Sequence, residues 1–357
     1  MTRSQAMEQF VAAMPKVELH VHLEGSIQPA TLLALARRHG IDLPADDEEG
    51  LRQWFQFRDF EHFVDIYLTC CRCLRDPEDF QWILDQFMAE QERQNVLYSE
   101  VHFTIGTHLA NGVNGEEVAD ALWETLEEGR RQRRIRVQLI PDIVRDVGPA
   151  MADQTLEWAL AGRERGVVGL GLSGFESSAD EPYREHFQVA ADSGLHCVAH
   201  AGEHAGPESI RSVLEVCRAE RIGHGITSID DKELVEELAT RAIPLEICPT
   251  SNVRLGAAPG IAEHPFARLS DAGVVVTINS DDPPLFETDL NREYLALSQE
   301  FGYGPAELAA FSRNALRAAF LDRADREALE EHTVDQFQSL GVAVEDDQFV
   351  VDDELTR

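Results

Sequence analysis

Lys16-Val17-Glu18-Leu19-His20-Val21-His22-Leu23-Glu24-Gly25 carries the strongest local signal in the chain. Apolar and polar residues alternate from Val17 to Leu23, the pattern of a half-buried strand, and Gly25 ends it. Alternation puts Val17, Leu19, Val21 and Leu23 on one face and Glu18, His20 and His22 on the other. Two imidazoles spaced by two on a strand can reach the same point, which is what a shared metal ion requires. A histidine pair alone also fits ordinary core packing, so its meaning depends on what the other strands bring.

From residue 97 onward, strand and helix patterns take turns. Strands are predicted at 97–103, 136–144, 167–172, 196–200, 221–224, 244–248 and 274–278, each followed by helical sequence. With the opening strand this makes eight βα units, which predicts an α/β fold closed as a TIM-type (β/α)8 barrel. An open doubly wound sheet is the competing arrangement, but no glycine-rich nucleotide fingerprint follows any early strand. Residues 26–95 read as a helical insertion after the first strand, with Ser26 capping its first helix, Pro29 in the first turn and Gly40 past the end. Phe57, Phe60, Phe63 and Tyr67 recur at helical spacing, as core or as one wall of an apolar pocket near the first strand. The chain reads as one domain, 1–357, ending in an acidic mobile tail at 340–357.

Four strand ends carry residues that bind metals or move protons. They are His20 and His22, then His200-Ala201-Gly202-Glu203, Gly223-His224-Gly225, and Asn279-Ser280-Asp281-Asp282-Pro283. A barrel gathers all four at its C-terminal mouth. Three histidines and a carboxylate, here His20, His22, His200 and Asp281, suit one divalent ion of the zinc class better than calcium or magnesium, which favour oxygen. Such an ion with an open position lowers the pKa of its water to about 7 and makes hydroxide available. Glu203, at the lip, is placed to move protons to and from a substrate. His224 is placed either to take a proton from the water or to hold it in line.

These motifs resemble the adenosine deaminase family of metal-dependent amidohydrolases, from Pro15 to about Leu321. Asn314-Ala315-Leu316-Arg317-Ala318-Ala319-Phe320-Leu321 is similar to that family's closing helix. The resemblance implies zinc on His20, His22, His200 and Asp281, with Asp281 also in the chemistry. It makes Glu203 the proton donor to purine N1 and His224 the residue that orients the attacking water. Asp282 would bond to N7, the backbone at Gly174 would meet N3, and His22 and Glu24 would also line the substrate. The implied reaction converts a 6-aminopurine nucleoside, adenosine first, into the 6-oxopurine and ammonia. Aminodeoxyfutalosine or adenine would be turned over by the same mechanism. The chain departs from the family pattern at Glu24, usually Asp, and at Glu100-Val101-His102, where Arg usually follows Val. The family's glycine is kept at Gly174, a point where adenine deaminases share Ser and Glu. An amide or phosphoester hydrolase would not need Glu203 or the Asp281-Asp282 pair. A protein that only binds would have lost Glu203, His224 or a metal ligand, and this chain has lost none.

Composition sets the bounds. Lys plus Arg number 31 against 65 Asp plus Glu, a net charge of −34, which excludes a phosphate-neutralising nucleic-acid surface. The expected partner is a small-molecule purine nucleoside. No apolar run suits a membrane span, and Met1 to Met14 lacks the features of a signal peptide, so a cytoplasmic location is expected. The six cysteines, Cys70-Cys71-Arg72-Cys73 included, are expected as packing thiols in a reducing compartment. Lys16 and Lys232 are the only lysines. So acidic a surface repels itself in dilute buffer and fits a salt-rich interior. Screening, whose reach falls to roughly 3 Å at 1 M salt, should therefore raise the melting temperature in molar KCl above that in dilute buffer. A flat or falling trend would remove the salt adaptation.

Overall fold

The computed structural model describes residues 2–351. Its eight parallel strands are β1 (Lys16–His22), β2 (Val96–Phe103), β3 (Arg136–Val144), β4 (Gly169–Ser173), β5 (His196–Ala201), β6 (Arg221–His224), β7 (Leu245–Ile247) and β8 (Val276–Ile278). They pair in chain order from β1 to β8. Ring closure is short. Val21 pairs with Asp281 as a single bridge, and Asn279 Oδ1 accepts from the amides of Leu19 and His20 at 2.9 and 3.1 Å. A side-chain amide thus stands in for a ladder rung at the seam. The six cysteines are buried free thiols. Among the described residues no helix is long and apolar enough to cross a membrane.

Three local expectations are corrected. The β1–β2 register slips between Glu18 and Val21, so Glu18 leaves the face shared by His20 and His22. Its carboxylate instead accepts from Ser280 and from Gln91 on the helix Pro77–Arg93. Ser26 does not cap a helix; it lies in a 3-10 turn, Glu24–Ser26, and donates to the His22 carbonyl, while Gln28 precedes the helix Pro29–His39. Gly40 ends that helix in the left-handed conformation, as read. The third correction concerns the tail. Strands β9 (Val342–Glu345) and β10 (Gln348–Val351) form a hairpin whose turn residues Asp346 and Asp347 both have positive φ. Asp347 is anchored by Arg313 and Arg317, and Phe349 packs on Phe337. The remaining tail residues, 352–357, lie outside the described residues.

The insertion folds as the helices Pro29–His39, Glu48–Phe55, Phe60–Arg72 and Pro77–Arg93, the middle two capped by the side chains of Asp47 and Asp59. It brings Phe60, Phe63 and Tyr67 over the barrel mouth. The barrel interior is layered. Ile140, Val198 and Phe320 close the lower end. Above them Arg221, fully buried, bonds Glu100 and Glu246 at 2.5 Å each and lies 3.6 Å from the Phe320 ring centroid. The histidines occupy the top.

Two carboxylates and one guanidinium form a buried unit in which each charge depends on the others. Removing the cation leaves uncompensated buried charge, which costs about 3–5 kcal/mol. Arg221→Met should reduce the unfolding free energy by about that amount in urea titration of the metal-free protein. A loss under about 1 kcal/mol would show that the carboxylates find other partners.

Candidate active site

The strand ends converge as the spacing requires. His22 Nε2 lies 3.2 Å from His200 Nε2 and 3.4 Å from Asp281 Oδ1, and His20 Nε2 lies 3.7 Å from the same oxygen. Burial, reinforced by the neighbouring imidazoles, holds His20, His22 and His200 well below the usual histidine range, so all three are neutral. Neutral imidazoles facing one another without a proton between them form a donor set for a cation. His20 Nε2 is buried with no hydrogen-bond partner. The second ring nitrogens of His20 and His200 are oriented from behind. His20 Nδ1 donates to Glu246 at 2.9 Å and His200 Nδ1 to the Leu172 carbonyl at 3.0 Å, which leaves each Nε2 free as ligand. Four buried donors of this kind fit one zinc-class ion.

Gly223 explains how β6 can pass so close. A Cβ there would meet the His20 ring at 2.7 Å, so only glycine lets that imidazole stand against the strand. His224 follows with φ of 62°, and Asp281 has φ of 64°. Left-handed backbone at two non-glycine residues is unusual, and here it re-aims both side chains into the mouth.

A hydrogen-bond chain fixes the tautomer of His224. The Phe266 amide can only donate, and it donates to His264 Nδ1 at 3.1 Å. His264 Nε2 then donates to Asn252 Oδ1, and Asn252 Nδ2 donates to His224 Nδ1, each at 3.1 Å. The proton of His224 therefore sits on Nε2, 3.9 Å from Asp281 Oδ2 and 3.7 Å from Glu203 Oε2. Of the two roles read from the sequence, this favours holding an oxygen over taking its proton.

Glu203 is held by its backbone. Glu176 accepts from the amides of Gly202, Glu203 and His204 at 2.7 to 2.9 Å, which fixes the lip after β5. Burial alone would raise the Glu203 carboxyl, but His224 and His204 beside it hold it below the usual range. Asp282 is pushed the other way. Burial and the adjacent Asp281 raise it well above the usual range, and its Oδ1 lies against Gly25, where a Cβ would collide at 1.5 Å. Ser251 donates to Asp281 Oδ2 at 2.6 Å.

Two expected substrate residues have structural duties. Glu24 is fully buried; Oε1 accepts from Thr104 N, Thr104 Oγ1 and His108, and Oε2 accepts from Tyr67 at 3.1 Å. Gly174 has φ of 89°, and a Cβ there would come within 3.0 Å of Asp146, so the turn after β4 needs glycine in its own right.

Several site residues escaped the sequence reading. His102 and Asp142 sit beside His20 and His22, bonded to each other at 2.8 Å. Their signal was present: Tyr98, Glu100 and His102 recur with a spacing of two, a polar face inside a barrel strand. Glu246, a lone acid between Leu245 and Ile247, gave the same signal. Asn252, His264 and Glu176 lie after strand ends, where no period marks them.

Comparison with known proteins agrees with this geometry. Residues 15–336 match the family model for adenosine deaminase. An aminodeoxyfutalosine deaminase of Streptomyces coelicolor is 39% identical over 316 residues, 88% of this chain and 82% of that protein. An adenine deaminase of the same organism is 37% identical over 310 residues, 87% of this chain and 91% of that one. Among solved structures, an amidohydrolase from Burkholderia ambifaria with bound Zn aligns with a TM-score of 0.87 at 25% identity, covering 95% of this chain and 94% of that one. Shared sequence along nearly the whole barrel leads to one conclusion: the chain belongs to the adenosine deaminase family of amidohydrolases and is a hydrolytic deaminase of 6-aminopurines.

Proposed function

We propose that the substrate is a 6-aminopurine carried on a sugar, with adenosine to inosine and ammonia as the parent reaction, and that His20, His22, His200 and Asp281 hold one zinc ion. The observation that carries the chemistry is the line Glu203, His224, Asp281, in which one imidazole N–H stands between a proton-donating acid and the ligand cluster. When bound, the ion lowers the pKa of a water toward about 7 and so supplies the nucleophile. His224 Nε2–H holds the water oxygen in line with C6. Asp281 takes the water proton and returns it to the departing amino group. Glu203 gives a proton to N1, so the ring carries no full negative charge during attack. Asp282 bonds N7, and the Gly174 backbone passes along the N3 edge.

The preference for a nucleoside rests on the rim. Phe60 lies 5.1 Å from Phe175 and 4.9 Å from His204, and Phe63 stacks on Phe286 at 5.3 Å. Phe175 is 38% exposed, an apolar surface beyond the purine that a bare base would leave uncovered. That surface also suits a nucleoside with a larger substituent, and aminodeoxyfutalosine, the compound named for the Streptomyces coelicolor relative, is such a candidate. One observation favours free adenine instead: the occupied Glu24 leaves little capacity for a ribose hydroxyl.

The values of kcat/KM for adenosine, aminodeoxyfutalosine and adenine under identical salt decide the matter. Either nucleoside should exceed adenine by about tenfold, about 1.4 kcal/mol of transition-state binding. A tenfold preference for adenine would overturn the nucleoside reading. For the metal, one ion per chain is expected. Glu246→Gln, which disturbs the orientation of His20, should weaken zinc retention by about 10–100-fold in chelator competition. Unchanged retention, or two ions per chain, would refute this ligand set.

A further inference from the structure

His204 is the neighbour of Glu203 that nothing in the mechanism above uses. Its Nδ1 lies 3.1 Å from Glu203 Oε2. The side chain is 33% exposed, whereas Glu203 is 10% exposed and His224 1%. The other groups facing Glu203 do not connect it to solvent. Asn252, at 3.5 Å, does not titrate, His224 is sealed inside and has its Nδ1 occupied, and Asp281 and Asp282 are buried acids. His204 is itself surrounded by acceptors: Glu203 on one side, the Leu255 carbonyl on another, and Glu176, which accepts from its amide. Phe60 of the insertion packs 4.9 Å away and fixes the ring.

We propose that His204 relays protons between solvent and Glu203, recharging that carboxylate before each attack on the purine. The inference rests on the reading that Glu203 protonates N1. That reading needs the acid form, yet the resting site stabilises the opposite pairing. Burial opposes charge on both residues, but His224 and His204 hold Glu203 below its ordinary range, and Glu203 at 3.1 Å holds His204 above its own. The missing proton is therefore one hydrogen bond away. Entry of a purine removes water from the pair, which favours the neutral form of both. The N–H bond of the His204 imidazolium breaks and the O–H bond of Glu203 forms. Neutral His204, whose Nε2 keeps its proton, then regains one from solvent at the vacated Nδ1 of its one-third-exposed ring. The charge balances, because the second proton of the attacking water is released to solvent as C6=O forms, while the first leaves with ammonia. His204 acts only through Glu203 and needs no contact with the substrate.

The test uses the full-length, metal-loaded enzyme and the best of the three compounds above. His204→Gln keeps a hydrogen bond to Glu203 but cannot carry a proton. It should lower kcat by about tenfold or more, with KM and metal content near wild type. His204→Ala leaves room for a diffusible substitute, so added imidazole should restore kcat in proportion to its protonated fraction between about pH 6 and 8. Wild-type kcat for His204→Gln in dilute buffer would overturn the relay, as would a loss in His204→Ala that imidazole leaves unrestored. Glu203→Gln separates the two readings. An inactive Glu203→Gln beside a fully active His204→Gln condemns the relay alone, whereas an active Glu203→Gln removes the acid role on which it rests.

Discussion

The barrel closes through very little. Strand β8 is three residues long, and its contact with β1 depends on the Asn279 side chain, the Val21–Asp281 bridge, and backbone bonds from His22 N to Asp281 O and from Asp281 N to His20 O. Those backbone bonds belong to three of the four candidate metal ligands. The interaction that seals the ring is thus the one that sets the distance between the two halves of the candidate metal site. Glu18 strengthens the same corner from outside by holding Ser280. The slip after Glu18 frees that carboxylate from the interior and still lets His20 and His22 face inward.

Below the seam, polarity is arranged by depth. Apolar residues and Phe320 fill the base, Arg221 bridges Glu100 and Glu246 in the middle, and the neutral His20, His22 and His200 lie at the top. Glu246 joins two of these layers, since one oxygen takes Arg221 and the other takes His20. A buried ion network of this kind contributes little net stability but is costly to break. Here it also orients a ligand.

Periodicity made the barrel legible, and the strands β1 to β8 fall close to where alternation places them. Side chains at the strand ends were legible for the same reason, because the fold fixes where strand ends go. Other features depend on single contacts and leave no period. The slip in β1 answers to Gln91, distant in sequence, and the hairpin at 342–351 looked like a solvated acidic run because its order comes from Arg313, Arg317 and Phe337. Glu24 was read as lining the substrate, but Thr104, His108 and Tyr67 had already engaged it. Glycine at 174 was read for a ligand, although the close approach of Asp146 demands it.

The left-handed backbone at His224 and Asp281 has a consequence for descent. A histidine or aspartate in that region costs on the order of 1–3 kcal/mol that glycine would not. While the activity is under selection, both positions stay as they are and the fold tolerates the strain. In a lineage where that selection lapses, replacement by glycine at either point relieves that strain, so drift has a direction. Glycine at these two places in a relative of otherwise intact barrel sequence would mark a retired enzyme.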